Sequence, residues 1–121
     1  MGRLTYSSHS TYSYMDVHDH LPLAPRDLMI LAVLAEGPLH GYGVVKAVET
    51  RSESGVLLDP ANLYRVLRRM AGLGWVRKVE NPEEPRRRTY EITATGRQVL
   101  SAELGRLERL LDQARPAVSR G

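Results

Sequence analysis

The side chains with the most evident chemistry in this sequence are arginines. Arg65, Arg68 and Arg69 recur at helical spacing, and Arg86, Arg87 and Arg88 follow as an unbroken run. Guanidinium groups in this density suit the neutralisation of phosphates and paired hydrogen bonds to flat acceptors, including the edge of a guanine. Residues 60–97 carry nine Lys or Arg against four Asp or Glu, a net +5. The rest of the 121 residues carry eight against ten, a net −2, so the overall +3 is concentrated in one segment. A polyanion-binding element requires such an asymmetry. The bland alternative is a solvated face, but two basic clusters close in sequence favour the binding reading.

Other chemistries are poorly served. Cysteine is absent, which removes thiol nucleophiles, disulfides and Cys-based zinc sites and fits a reducing cytoplasm, the expected location. No catalytic Ser/His/Asp order, glycine-rich phosphate loop or metal triad stands out, so no enzyme activity, catalytic residue or cofactor is expected. Asp16, His18, Asp19 and His20 bear metal-ligating groups, but nothing periodic fixes their geometry, and no metal site is assigned. No apolar run approaches the ~20 residues of a membrane span, and the polar N-terminus is unlike a secretory signal.

The elements that must hold the arginines can be traced along the chain. Residues 1–22 read as a flexible tail, the alternative being that Tyr6, Tyr12 and Tyr14 pack onto a partner subunit. A first helix is expected from Pro25 to about Glu36, with Gly37-Pro38 as its stop. It is apolar all round: Met29, Ile30 and Val33 accompany the stripe of Leu28, Leu31, Ala32 and Ala35. Such a helix must be covered on both sides, and in a short chain a second subunit is the expected cover. A second helix starts near His40-Gly41, with His40 settling its start, and ends around Arg51. Val56–Leu58 reads as a short extended piece.

The third helix begins sharply, with Asp59 as cap and Pro60 in the first turn. Leu63, Val66, Leu67 and Met70 form its buried stripe. Ala61, Arg65, Arg68 and Arg69 lie opposite, and Asn62 and Tyr64 flank them. Tyr64 has two readings, a phosphate contact or a ring packed at the core edge with a wet hydroxyl. Trp75–Glu80 and Arg88–Ile92 read as strands of a hairpin with a basic tip. Thr93 caps a last helix running to about Ala114, before Pro116. Leu100, Leu104, Leu107, Leu111 and Ala114 repeat at 4-3-4-3 spacing along it, a seam for a partner helix. Gly105 sits within that helix, suited to a close approach or a small cavity.

Helix, helix, basic helix, basic hairpin, helix is the order of a winged helix-turn-helix. The residues Glu36-Gly37-Pro38-Leu39-His40-Gly41-Tyr42-Gly43 resemble the start of the second helix in the PadR family of transcriptional regulators. Asp59-Pro60-Ala61-Asn62-Leu63-Tyr64-Arg65-Val66-Leu67-Arg68-Arg69-Met70 resembles that family's recognition helix. Gly74-Trp75-Val76 resembles its entry into the wing, and Arg88-Thr89-Tyr90-Glu91-Ile92-Thr93-Ala94-Thr95-Gly96-Arg97 its exit. The likeness spans roughly residues 24–110.

The resemblance implies a mainly α fold with a small β-hairpin. It divides the chain into a tail (1–22), a winged helix-turn-helix domain (23–93), a C-terminal dimerisation helix (94–115) and a tail (116–121). It implies a homodimer that represses from a palindromic operator in double-stranded DNA, with room for a small-molecule effector between the subunits. The candidate DNA-binding residues are Tyr42, Lys46, Ala61, Asn62, Tyr64, Arg65, Arg68, Arg69, Arg86, Arg87 and Arg88. The candidate interface or effector residues are Met29, Ile30, Val33, Leu100, Leu104, Leu107 and Leu111. Asn62 and Arg65 depart from the Thr and Pro common at those places in the family. Residues 94–114 hold no aromatic side chain, so a platform for stacking a flat effector is missing. The alternative function is a winged-helix protein-interaction module without DNA binding.

Overall fold

The structure, a computed structural model, describes residues 17–120. The expectations for Tyr6, Tyr12, Tyr14 and Asp16 lie outside it. Among the described residues from Leu23 onward, four helices and three strands follow in the order α1 (Pro25–Leu34), β1 (Leu39–His40), α2 (Gly41–Arg51), α3 (Pro60–Gly72), β2 (Val76–Val79), β3 (Thr89–Ile92) and α4 (Ala94–Arg120). The strands form one antiparallel sheet ordered β1-β3-β2, with Leu39 opposite Tyr90 and Arg77 opposite Glu91. This is a winged helix-turn-helix in which the β2–β3 hairpin is the wing.

Local chemistry sets the helix starts. The Asp59 carboxylate accepts the Ala61 amide at 3.1 Å and Pro60 follows, so α3 begins with a free N–H satisfied. His40 does the same for α2, its Nδ1 accepting the Gly43 amide at 3.1 Å. Thr93 Oγ1 accepts the Gly96 amide at 3.0 Å and opens α4. Gly74, at φ +81°, supplies the left-handed step that turns the chain from α3 into the wing.

One apolar core joins all the layers. Ile30, Leu31 and Leu34 of α1, Val44 and Val48 of α2, Leu63, Leu67 and Met70 of α3, Trp75, Val76 and Val99 are all sealed from solvent. Truncating one of the larger of these, such as Leu67, to Ala should cost about 2–5 kcal/mol through lost burial and the cavity left.

The structure corrects three expectations. First, α1 needs no second subunit to cover it, because it packs against α2, α4 and β3 of its own chain. Ile30, Val33 and Leu100, expected at an interface, are 0%, 2% and 9% exposed within the protomer. Second, the residues just before Leu23 are not a loose tail. Val17 is buried, and the His20 ring stands edge-on to Trp75 with centroids 5.3 Å apart. Third, α4 does not stop before Pro116 but continues through it to Arg120. A proline there removes one backbone hydrogen bond close to the end of an exposed helix, where the lost turn matters least. The Val56–Leu58 piece joins no strand. The two-residue β1 was not foreseen.

Candidate nucleic-acid interface

On α3, Leu63, Val66, Leu67 and Met70 face the core. Ala61, Arg65 and Arg68 are exposed on the other side, with Asn62 and Tyr64 half-buried at its edges. The wing stands beside this face. Its Arg88 guanidinium lies over the Tyr64 ring, 5.8 Å from the centroid, a cation–π contact that ties hairpin to helix. The Tyr64 ring also lies against α2. A Cβ on Gly41 would stand 2.7 Å from Tyr64 Cζ, so only glycine allows this approach. The Tyr64 ring packs at a helix crossing, as the second of its two readings expects, and the residue also lines the cleft.

That cleft, about 400 Å³, is lined by His40, Gly41, Tyr42 and Tyr64 on one side and Arg86, Arg87 and Arg88 on the other. Arg87 Nη1 meets His40 Nε2 across it and lies 3.8 Å from Glu84. Tyr90 is buried behind it. Burial pushes its phenol above the usual tyrosine range, opposed by the positive charges of Arg88 and Arg68 nearby. The geometric link between the helix face and the wing is the Arg88–Tyr64 contact, with Arg86, Arg87 and Arg88 lining the same cleft as Tyr64.

The candidate residues separate by environment. Tyr42, Tyr64, Arg86, Arg87 and Arg88 gather around the cleft, and Ala61, Asn62, Arg65 and Arg68 line the adjoining helix face. Lys46 is exposed on α2 outside the cleft, 3.6 Å from Glu49 in a weak surface pair. Arg69 differs from its neighbours, since its guanidinium donates to the buried carboxylate of Asp27 on α1. The sequence reading missed Asp27, whose signal is an acid at the start of an apolar helix. It also missed Gly41 as a cleft residue. Arg77 pairs with Glu91 directly across the β2–β3 ladder and is neutralised there.

The other candidate surface runs along α4. Leu104 and Leu111 are 47% and 50% exposed, and Leu107 is partly so. A shallow groove of about 440 Å³ there is lined by Arg97, Leu100, Ser101, Leu104, Gly105 and Glu108. Met29 is half-buried against the core. Among the described residues no group of three His, Cys, Asp or Glu is placed to hold a metal ion.

Residues 30–102, more than half of the chain, match the model of the transcriptional regulator PadR-like family. The chain belongs to this family. PadR-like proteins are regulators of transcription, not enzymes. The PadR-like chain is 39% identical over 83 residues to an uncharacterized 37.1 kDa protein in transposon TN4556 of Streptomyces fradiae. That stretch is 69% of this chain and 23% of the relative, so the chain spans about a quarter of the relative's length. A transcriptional regulator from Clostridium thermocellum shares the fold with a TM-score of 0.64 and 21% identity, over 83% of this chain and 94% of that one. The PadR of Bacillus subtilis, solved in complex with operator DNA, shares it with a TM-score of 0.58 and 21% identity, over 69% of this chain and 47% of that one. No helix among the described residues is long and apolar enough to cross a membrane.

Proposed function

We propose that this PadR-like chain binds double-stranded DNA sequence-specifically as a homodimer and represses from a palindromic operator. The observation that carries the reading is the single basic surface formed by the exposed face of α3 and the arginines of the wing. An α-helix of about 10–12 Å diameter fits a major groove about 12 Å wide. Arg65, Arg68, Asn62 and Ala61 then face base edges and phosphates, while Arg86, Arg87 and Arg88 reach the neighbouring backbone or minor groove. Tyr42 and Tyr64 offer hydroxyls to phosphates at the cleft mouth. That the Bacillus subtilis PadR, which shares the fold, was solved in complex with operator DNA supports the DNA-binding reading.

The exposed leucines of α4 support the homodimer. In the row of Leu104, Leu107 and Leu111 the first and last are exposed and Leu107 half-buried in the protomer, and such an apolar row at heptad spacing suits a partner helix. Two-fold pairing would set the two α3 helices about one duplex turn apart, roughly 34–36 Å. The α4 groove beside Gly105 would then lie between the subunits, lined mainly by aliphatic and charged groups. A small effector without an aromatic plane suits it better than a flat one.

Selection of bound sequences from a random DNA pool, followed by titration of the winner over a salt series, tests the reading. The expected result is a palindromic consensus. Binding should weaken linearly in log–log form, with a slope of about −0.9 per neutralised phosphate. Leu104→Asp with Leu107→Asp should yield monomers by sedimentation and lose tight binding. Equal retention of all sequences would reject sequence-specific recognition.

A further inference from the structure

Arg69 lies on the recognition helix with Arg65 and Arg68, yet its surroundings set it apart. Neither Arg65 nor Arg68 pairs with a carboxylate among the described residues, whereas Arg69 donates to Asp27. Asp27 is 6% exposed, and its other oxygen accepts Arg26 Nε at 3.1 Å. Withdrawing Arg69 toward a phosphate would leave a buried carboxylate with one partner fewer and little water to replace it.

The pair also joins two helices at their ends. Asp27 is in the first turn of α1, and Arg69 is in the last turn of α3. A carboxylate at a helix start and a guanidinium at a helix end each suit the local dipole. Just upstream, the Leu23 amide donates to Glu103 Oε2 at 2.9 Å. Glu103 is a fully buried residue of α4, held by Arg106 at 2.6 and 2.9 Å. The few residues from Leu23 to Asp27 are therefore fastened to α4 at one end and to α3 at the other.

We infer that Arg69 is a positioning residue and not a DNA ligand: with Asp27 it fixes the recognition helix against the α1–α4 frame. The inference rests on the DNA-binding reading above and removes Arg69 from the DNA-binding candidates named from the sequence. A phosphate ligand and a positioning residue differ in their salt dependence. Losing a phosphate ligand releases fewer counterions on binding and flattens the salt slope by about 0.9. Losing a positioning residue weakens binding by the same factor at every salt concentration.

The experiment uses the full chain and a DNA selected by the unmodified protein, with affinity measured over a salt series. Arg65→Ala is the control and should flatten the slope. Arg69→Ala should lower affinity about tenfold with the slope unchanged. Asp27→Asn, which alters no DNA-facing side chain, should give the same parallel shift. The double variant Asp27→Leu with Arg69→Met should recover most of the affinity, because an apolar pair of similar volume can replace a buried ion pair. Circular dichroism and sedimentation check fold and assembly, and Asp27→Asn remains informative if Arg69→Ala folds poorly. A slope flattened by Arg69→Ala as by Arg65→Ala would overturn the inference. So would wild-type affinity in Asp27→Asn, or a folded double variant that recovers nothing. Failure of the unmodified protein to select any DNA would sink the DNA-binding reading itself, a different result.

Discussion

The same substitution at two glycines should have opposite effects. Gly96 is in the first turn of α4, where the helix passes against the chain entering the wing. A Cβ at Gly96 would stand 2.7 Å from Ile92 Cγ1 and 3.0 Å from the Trp75 carbonyl carbon, and nearer still to its oxygen. Comfortable contact for such atoms is about 3.5–4.0 Å, so one side must move by roughly an ångström. The Trp75 carbonyl is held in place, accepting Thr93 N at 2.9 Å and Thr93 Oγ1 at 3.0 Å. Thr93 Oγ1 also caps Gly96, so a shift disrupts the start of α4. Overpacking costs about 1–3 kcal/mol and a lost cap about 1 kcal/mol, while the alanine returns about 1 kcal/mol of helix propensity. Gly96→Ala should therefore destabilise by about 1–3 kcal/mol. At roughly 3–6 °C per kcal/mol, between the values for smaller and larger domains, the loss in Tm is readable. Gly72, at the end of α3, has nothing within 4 Å of an added Cβ. Gly72→Ala keeps only the propensity gain and should stabilise by a few tenths to about 1 kcal/mol. Urea unfolding followed by far-ultraviolet circular dichroism, at one protein concentration because assembly adds stability, measures both. A Gly96→Ala variant as stable as the parent would refute the close-approach reasoning.

Two further outcomes follow from the same geometry. Gly41→Ala should push the Tyr64 ring away from α2 and loosen Arg88 above it. Because the far end of a side chain can yield, DNA affinity should fall while Tm drops less than in Gly96→Ala; an unaltered affinity by fluorescence anisotropy would count against the Tyr64–Arg88 link. Glu103 is held below the usual carboxylate range, chiefly by hydrogen bonds from Arg106 and also by the Leu23 amide, with burial opposing. A lowered folded pKa contributes stability above the ordinary value of 4.5 and loses it as pH falls through the folded one. The stability gap between the parent and Glu103→Gln should thus be full at neutral pH and shrink below about pH 4.5 in urea titrations.

Features that depend on neighbouring residues were legible in the sequence. The caps Asp59, His40 and Thr93 act within three residues, so their helices start where the sequence suggests. The buried stripe of α3 follows from its period. Contacts between distant segments were not legible. Asp27 meets a partner 42 residues away and Glu103 one 80 residues away, and no local pattern names either partner. Strand β1 has only two residues and exists through its pairing with β3. The apolar girth of α1 states correctly that all its sides are covered but not by what. Ile30 and Val33 are met by their own chain, while Leu104 and Leu111 on α4 remain uncovered.

The same limit bears on the arginines, and it decides how much each can contribute to DNA binding. In the sequence Arg65, Arg68, Arg69, Arg86, Arg87 and Arg88 are equivalent charges. The fold makes them unequal. Arg69 is engaged by a buried carboxylate, Arg87 weakly by Glu84, and Arg88 by the Tyr64 ring. Arg65, Arg68 and Arg86 pair with no carboxylate among the described residues. A guanidinium that must leave a partner to meet a phosphate gains only the difference between the two contacts. One already facing water gains the new contact together with the released counterion. The salt dependence of binding should therefore reside mainly in Arg65, Arg68 and Arg86. On the proposed DNA-binding reading Arg87 and Arg88 contribute a smaller share, while Arg69 ties α3 to α1 and Arg88 ties the wing to α3.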